Sequence, residues 1–220
     1  REQVDRIRLM SIPMPSTGLP SSKTVLEMED TVFAFSGRGS EARMLGPVSL
    51  RITGPERIAI TGPNGAGKTT LLKLITGMLE PTSGEMRRPV KAALLDQNTA
   101  MLKPDETLTE AWLRLNPGGS LNDAYAALAR FLFRNVEARR LAGSLSGGER
   151  LRAALACVMT GVCPPQLLIL DEPTNHLDLD SIAAVEAALD AYDGALVVVA
   201  HDPVFLDQVG ITRTLALPGG

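Results

Sequence analysis

The stretch GPNGAGKT, from Gly62 to Thr69, constrains the fold of this 220-residue chain more than any other part of it. It fits the pattern GxxxxGK[ST] and lies between an apolar run, RIAIT at 57–61, and a helix-like segment, KTTLLKLITGM at 68–78. A buried strand followed at once by a helix is typical of an α/β fold. On average residue frequencies, the pattern arises by chance in roughly one such chain in a hundred. An ordinary glycine-rich turn would explain the glycines, but not Lys68 and Thr69.

This loop has the composition of a phosphate-binding site. Its glycines allow successive backbone N–H groups to turn inward around phosphates, and the helix that starts near Lys68 adds its positive end. Lys68 would reach the β- and γ-phosphates of a nucleotide, and the Thr69 hydroxyl would bind Mg²⁺. The predicted nucleotide-binding residues of the loop are Gly62, Pro63, Asn64, Gly65, Ala66, Gly67, Lys68, Thr69 and Thr70.

A second acidic element is supplied by LLILDEPTNHLDLD at 167–180. Asp171 ends an apolar strand and is predicted to hold Mg²⁺, directly or through water, while Glu172 is predicted to polarise the attacking water as a general base. Consecutive residues at a strand end point in different directions, so the two carboxylates can have different roles. A metal cage built from all four carboxylates of the stretch is disfavoured, because a proline and two leucines interrupt any regular ligand loop.

A third motif, LSGGERLRAALA at 145–156, again places Ser-Gly-Gly before a helix. A helix start with a free hydroxyl and bare N–H groups binds anions, but the chain already has one such site in its glycine-rich loop. Taken alone, the motif is more often an N-cap serine before a flexible turn. Beside Lys68 and Glu172, a second phosphate-binding helix start suggests a site shared between two protomers.

The composition indicates one globular domain with a proper core, since 45% of the residues are hydrophobic and 21% are charged. A net charge of -3 gives no strong field for nucleic acid or an acidic membrane surface, so such partners would need a local patch. No apolar run approaches the roughly 20 residues of a membrane span. Cys157 and Cys163 form no CxxC pair and are predicted to be reduced, buried thiols, so we expect a soluble, cytoplasmic protein.

Strand-like and helix-like segments alternate along the chain. After RIAIT, the runs LLILD at 167–171 and ALVVVA at 195–200 are predicted to be buried parallel strands, followed by helices at 181–192 and 203–209. Ligands of such sheets bind at the carboxyl ends of the strands. Around this core are a β-rich part at 32–52, a helical insert from Pro104 to about Leu141, and a strand-like run within TRTLALPGG at 212–220. The arginines of ARFLFRNVEARR are predicted to form a solvated helix face, with contact to RNA phosphate as the alternative. They are Arg130, Arg134, Arg139 and Arg140.

The order of the motifs resembles the nucleotide-binding domain of ATP-binding cassette (ABC) proteins. GPNGAGKT, LSGGER, LLILDEP and a histidine after ALVVVA follow one another from about Val25 to Leu217. DEPTNHLDLDS is similar to the ABC-F subfamily, soluble ATPases with two such domains in one chain that act on the ribosome. ABC transporter motors more commonly have serine-alanine where this chain has Asn175-His176.

The resemblance implies an α/β fold with an ABC-type P-loop NTPase core. Its sheet would be mostly parallel, with an N-terminal antiparallel β subdomain and a helical subdomain at about 104–160. Residues 1–24, with their prolines and serines, would be the end of the linker between two domains, and 25–220 the second nucleotide-binding domain. His176 would be structural or at an interface.

Further site residues are implied by the resemblance. Phe35 would stack on adenine, although Phe33 and Phe35 can equally be core residues. Gln97 would sense Mg²⁺ and the attacking water, with a solvated loop glutamine as the alternative. His201 would contact the γ-phosphate, with a helix cap before Pro203 as the alternative. The predicted catalytic residues are thus Glu172, His201 and Gln97, the metal-binding residues are Thr69, Gln97 and Asp171, and the residues contacting the partner domain's ATP are Ser146, Gly147, Gly148, Glu149 and Asp178.

The function implied by the resemblance is ATP hydrolysis with Mg²⁺, in which ATP closes two nucleotide-binding domains on each other. The partner would be the second domain of a longer chain or a second copy of this one, and the ribosome would be the target, in translation or in protection from antibiotics. Two alternatives remain at this stage. One is the motor of an ABC transporter, and the other is a DNA-repair or chromosome-type ABC ATPase, which the lack of a long coiled-coil insertion and of a zinc-binding cysteine cluster disfavours.

Overall fold

The computed structural model of the chain describes residues 14–35, 44–96, 99–175 and 177–218. The described strands are β1 Thr24–Ala34, β2 Met44–Thr53, β3 Arg57–Thr61, β4 Ser83–Arg87, β5 Ala92–Leu95, β6 Leu167–Asp171, β7 Ala195–Val199 and β8 Arg213–Ala216. The described helices are α1 Lys68–Thr76, α2 Leu108–Leu115, α3 Leu121–Arg130, α4 Gly147–Met159, α5 Leu179–Asp190 and α6 Pro203–Gln208. Two short 3₁₀ turns, Glu137–Arg139 and Ala142–Ser144, lie between α3 and α4.

These strands form two sheets, which confirms the predicted α/β fold class. The larger sheet has the order β5-β6-β7-β3-β8, and all of its described pairings are parallel. The smaller sheet has the order β2-β1-β4 and is antiparallel. The carboxyl ends of β3 and β6 therefore lie at the same edge of the parallel sheet, where the glycine-rich loop and the acidic stretch begin.

The parallel sheet separates two apolar cores. Alternate residues of a strand point to opposite faces, and β6 follows this rule, since Leu168 and Leu170 pack in one core while Leu167 and Ile169 pack in the other. The first core includes the helical part of the chain, and the second includes α1 and the antiparallel sheet. Because every residue of β6 and β7 is buried, these strands are covered on both faces, as expected for a parallel sheet.

The predicted helical insert between β5 and β6 is confirmed. Helix α2 starts at a capping box formed by Thr107 and Glu110, and α3 starts at one formed by Ser120 and Asp123. The indole N–H of Trp112, a buried side chain of α2, donates a hydrogen bond of 3.0 Å to the Thr160 hydroxyl after α4. Helix α4 ends at this contact, and the chain then continues into β6, so α4 connects the helical part to the parallel sheet. In the part of the chain that the structure describes, no helix has the length and apolar character needed to cross a membrane.

Several helix bounds differ by one or two residues from the predicted ones. Helix α1 begins at Lys68 as predicted, but ends at Thr76, because Gly77 takes a left-handed conformation with φ 76° and closes the helix. Helix α5 begins two residues before the predicted 181, because the Asp178 carboxylate accepts the Ser181 N–H at 2.7 Å and caps the helix there. Asp180, predicted to start this helix, lies within its first turn.

Part of the predicted linker at 1–24 packs against the domain. Residues 1–13 lie outside the described residues, but the Ser16 hydroxyl donates to Asp193 Oδ2 at 2.6 Å, and the Thr17 N–H donates to Asp193 Oδ1 at 2.9 Å. The Gln166 side chain donates to the Thr17 carbonyl at 3.2 Å. Gln166 and Asp193 shortly precede β6 and β7, so the chain at 16–17 is bound to the edge of the sheet opposite the glycine-rich loop. The division between residues 24 and 25 stays a prediction.

The cysteine and arginine predictions need correction. Both cysteines are free thiols, but only Cys157 is buried, and Cys163 is exposed in the turn before β6. The predicted arginine-rich helix face does not form, because α3 ends at Arg130 and the chain then turns through left-handed conformations at Leu132 and Asn135. Arg130 ends α3, Arg134 lies in the segment that follows, and Arg139 and Arg140 end the first 3₁₀ turn.

Candidate active site

The glycine-rich loop joins β3 to α1 in the predicted strand-loop-helix order. The Ala66 N–H donates to the Pro63 carbonyl at 3.1 Å, which closes a turn within the loop. Gly62 and Gly67 have φ values of 146° and 91°, which side chains rarely allow, and a Cβ on Gly62 would lie 2.7 Å from the Leu217 carbonyl oxygen. Both glycines are thus required by the backbone path that the loop takes over the sheet edge.

Lys68 is directed back into the loop. Its ammonium group donates to the carbonyl oxygens of Gly62 at 2.7 Å and Pro63 at 3.1 Å, and its side chain is buried. The residue is also the first of α1, whose first turn contains no acidic residue. The positive end of the helix and the Lys68 charge therefore meet at one point without a neutralising carboxylate in that turn, which favours a phosphate group.

Thr69 and Asp171 come together although 102 residues separate them. The Thr69 hydroxyl donates to Asp171 Oδ2 at 3.1 Å, where the end of β6 faces the start of α1. Burial raises the pKa of Asp171 above its ordinary value, and the hydrogen bond from Thr69 acts in the opposite direction. A hydroxyl and a carboxylate oxygen at one position are hard ligands of the kind that Mg²⁺ prefers, so the predicted metal-binding pair fits this ion.

Glu172 points to a different partner, His201. Glu172 Oε1 lies 3.1 Å from His201 Nε2, and the Glu172 side chain is 13% exposed against 54% for His201. The Glu172 N–H donates to the Val199 carbonyl at 2.8 Å, and the residue has a φ of 53°. This left-handed conformation, uncommon for a residue with a side chain, turns the chain immediately after Asp171. The ends of β6 and β7 thereby place the predicted base beside the predicted histidine.

The helix-capping role predicted as the alternative for His201 belongs to the next residue, Asp202. Asp202 is the N-cap of α6, and its carboxylate accepts the N–H groups of Val204 at 2.9 Å and Phe205 at 3.3 Å. His201 is therefore free of the capping role.

Phe35 directly follows β1, which ends at Ala34. Its ring packs edge-to-face on Phe33 at 5.1 Å between centroids, and it is 37% exposed. Phe33 pairs with Leu45 across the antiparallel sheet, and Leu45 Cδ1 lies 2.9 Å from the position of a Cβ on Gly67. Of the two aromatic residues, Phe33 is the one packed against the core. Phe35 is the more exposed ring of the two, which suits the predicted stacking role.

The third motif forms the start of α4. Ser146 is the N-cap and forms a capping box with Glu149, whose carboxylate also accepts hydrogen bonds from the Arg140 guanidinium at 2.6 and 3.2 Å. The hydrogen bond with Arg140 lowers the pKa of Glu149. Arg140, for which RNA contact is the predicted alternative, thus pairs with a carboxylate nine residues away in its own domain, and no pattern in the sequence indicates this pairing. Glu149 therefore organises the helix start within its own domain.

The two glycines of this motif have different surroundings. A Cβ on Gly148 would clash with the Ser181 hydroxyl and lie 2.5 Å from Ser181 Cβ, because α4 and α5 touch at their first turns. A Cβ on Gly147 would meet nothing within 4 Å. Contacts within the domain thus require glycine at 148 only, and Gly147 faces open space.

A groove of about 1070 Å³ lies in front of these helix starts. Its lining includes Ser146, Glu149 and Arg152 from the α4 side, Asp178 and Leu179 from the α5 side, and Val204 from α6. The described lining contains no residue of 62–70. The predicted partner-facing residues therefore form a surface of their own, separate from the domain's own glycine-rich loop.

Replacing Gly148 by alanine should lower the free energy of unfolding, because the new methyl group overlaps Ser181. Overpacking costs about 1–3 kcal/mol, which exceeds the gain of up to about 1 kcal/mol from helix propensity. Urea denaturation monitored by circular dichroism measures the change. Gly147→Ala is the matched control and should leave the free energy of unfolding unchanged or slightly higher. Equal stabilities of the two variants would contradict the close approach of α4 and α5.

Two residues of the predicted site are not placed. Gln97 and His176 lie outside the described residues, so their predicted roles stay predictions. Among the described residues, no three His, Cys, Asp or Glu side chains are grouped so that they could hold a metal ion. The four carboxylates of 167–180 are dispersed: Asp171 faces Thr69, Glu172 faces His201, Asp178 caps α5, and Asp180 lies in the first turn of that helix.

Comparison with known proteins gives consistent matches. The family model described as ABC transporter matches residues 45–175, which is more than half of the chain. ATP-binding protein Uup of Escherichia coli (strain K12) is 37% identical over 206 residues, a match that covers 91% of this chain and 31% of the relative. ABC transporter F family member 2 of Arabidopsis thaliana is 36% identical over 215 residues, covering 96% and 30%. The chain thus spans about a third of the length of these curated relatives.

A solved structure supports the same fold. The dimeric ATP-binding cassette MJ0796, in a post-hydrolysis state bound to ADP and Pi, superposes with a TM-score of 0.74 at 23% identity. The superposition covers 87% of this chain and 94% of that one.

Proposed function

Because this chain belongs to the ABC transporter family, we propose that it is one ATPase domain of an ABC-F protein that acts on the ribosome. The domain binds ATP with Mg²⁺ and hydrolyses the nucleotide. Both relatives match this chain over about 30% of their own length, and one of them is named as an F family member, which supports the subfamily. The NHLD sequence at 175–178 supports the same subfamily, since transporter motors more commonly have serine-alanine at its first two positions.

The groove at the start of α4 is the observation that best supports the need for a second domain. Lys68 and Asp171 lie at the glycine-rich loop, and Glu172 directly follows Asp171, while the start of α4 lines a separate groove. Gly147 at that start faces open space. Leu179 and Val204 in the groove are 83% and 66% exposed, which is unusual for large apolar side chains and typical of a protein contact surface. We infer that a second cassette covers this surface, and that its ATP lies between the two domains.

The chemistry would be divided among this chain's own residues. Lys68 would exchange its bonds to the Gly62 and Pro63 carbonyls for phosphate oxygens and neutralise charge in the transition state. Glu172 would accept a proton from the attacking water, and His201 would hold the Glu172 carboxylate in place and contact the γ-phosphate. Thr69 and Asp171 would hold Mg²⁺, which neutralises phosphate charge when bound.

ATP would then hold the two domains together. The γ-phosphate would contact Ser146 and Gly148 of the partner, so binding favours closure and hydrolysis favours release. A domain without a partner would bind nucleotide but hydrolyse it slowly.

Ribosome association is the finer part of the proposal, either in translation or in protecting the ribosome from antibiotics, and it places the protein in the cytoplasm. The full-length protein with Glu172→Gln should sediment with ribosomes through a sucrose cushion in the presence of ATP, because the closed state would persist. With ADP it should remain in the supernatant. Glu29→Gln, which changes an exposed carboxylate on β1, is the matched control and should dissociate as ATP is consumed. Sedimentation with membranes instead of ribosomes would contradict the proposal and favour a transporter motor.

A further inference from the structure

Arg152 occupies the face of α4 that is turned towards α5. It follows Gly148 by four residues, so the two share one face of the helix, and Gly148 is the position that touches Ser181. Arg152 lines the groove together with Asp178 and Asp180. The residue is thus placed between the two helix starts that are proposed to meet the partner's nucleotide.

The surroundings of Arg152 are unusual for a surface arginine. Its side chain is partly buried, and its Nε atom is fully buried without a hydrogen-bond acceptor among the described residues. The guanidinium carbon lies 5.2 Å from the centroid of the Phe133 ring, and Phe133 is buried. This contact is within the range of a cation–π interaction.

The charge of Arg152 is opposed by burial and supported by carboxylates. Burial lowers the pKa of Arg152, while the charges of Glu149 and Asp178, and more weakly those of Glu137 and Asp180, raise it. A partly desolvated cation is costly unless nearby anions compensate for the lost water. The two leading anions are Glu149 at the start of α4 and Asp178 at the start of α5, so the compensation comes from both sides of the groove.

We propose that Arg152 is a positioning residue that holds the start of α4 and the Asp178 turn at one spacing, so that both reach the partner domain's nucleotide together. The contact of Gly148 with Ser181 prevents a closer approach of the two helices. Arg152 and Asp178 line the same groove with opposite charges, and their attraction opposes the separation of the two helices. This role rests on the proposed function, but the contact itself can be tested without it.

The proposed role depends mainly on the positive charge at 152 and less on the shape of the side chain. A planar guanidinium can lie over the Phe133 ring and face carboxylates on two sides, whereas a lysine ammonium is a compact charge. Lysine at 152 keeps the attraction for Asp178 and Glu149 but loses the planar contact. Glutamine keeps much of the length and loses the charge.

The first test compares Arg152→Gln and Arg152→Lys with Arg139→Gln, which removes an exposed arginine of the adjacent 3₁₀ turn. In Arg152→Gln, kcat for ATP should fall about tenfold, while the Kd of a fluorescent ATP analogue for the glycine-rich loop should stay within twofold. Arg152→Lys should lose no more than about threefold in kcat, and Arg139→Gln should match the unmodified protein. A structural role alone would change Kd and kcat together, and would not be rescued by lysine.

The second test measures hydrogen–deuterium exchange at residues 178–182 in the protein without nucleotide. Arg152→Gln should raise exchange at these residues at least threefold, and combining it with Asp178→Asn should add little, because both changes remove the same interaction. Arg139→Gln should leave this exchange unchanged.

The outcomes separate the two proposals. Unchanged exchange at 178–182 in Arg152→Gln, or a kcat within twofold of the unmodified protein, would overturn the role of Arg152. A folded, unmodified protein without any ATP turnover, alone or with its partner domain, would instead overturn the proposed function, and the role of Arg152 in it.

Discussion

Replacing Glu172 by glutamine should lower kcat for ATP hydrolysis by about 10²–10⁴-fold, the usual effect of removing a general base. Glutamine has nearly the same shape and can still hydrogen-bond to His201, whose Nε2 lies 3.1 Å from Glu172 Oε1. The affinity for ATP should therefore be retained. With ATP and Mg²⁺, the variant should form a stable dimer, because the bridging γ-phosphate is no longer removed.

Steady-state phosphate release and multi-angle light scattering with ATP measure the two effects. Glu29→Gln, the exposed carboxylate change on β1, should alter neither of them. A steady-state ATPase rate in Glu172→Gln equal to that of the unmodified protein would refute the assignment of the base.

Replacing Lys68 by alanine should weaken ATP binding by about 10²-fold or more. The ammonium group now donates two hydrogen bonds within the loop, and bound phosphate would receive comparable bonds, each worth about 1.5–3 kcal/mol because a charge is involved. Titration with a fluorescent ATP analogue measures the dissociation constant.

Lys73→Ala is the matched control for this change, because Lys73 is an exposed lysine on the same helix, α1. Its ATP affinity should remain within about twofold of the unmodified protein. If Lys68→Ala bound ATP within threefold of the unmodified protein, the loop would not be the nucleotide site.

The strands were predictable because their signal is local. RIAIT and LLILD became β3 and β6 with the predicted bounds, since aliphatic runs of this length, placed before a glycine-rich loop or an acidic turn, form buried strands. The start of α1 at Lys68 was predictable for the same reason, because it directly follows the glycine-rich loop. A pattern of neighbouring residues was sufficient in each case.

Helix starts with several capping candidates were less predictable. The sequence LDLDS offers two aspartates and a serine near the start of α5, and each is a suitable N-cap by composition. Asp178 is the residue that caps the helix, and Ser181, which donates to it, lies against Gly148 of α4, a contact between distant parts of the chain. The exposure of Cys163 and the pairing of Arg140 with Glu149 likewise depend on the path of turns that carry no motif.

The sequence by itself determined which chemical groups this protein has and the order in which they occur: a phosphate-binding loop, adjacent carboxylates at a strand end, a second helix start and a histidine. These features depend on spacing along the chain, so a pattern reveals them. Only the tertiary structure decided which groups meet. Thr69 reaches Asp171 across 102 residues and Glu172 reaches His201, because the strand order β6-β7-β3 places three strand ends at one edge. The same packing leaves Gly147 facing open space, and no local pattern contains that information.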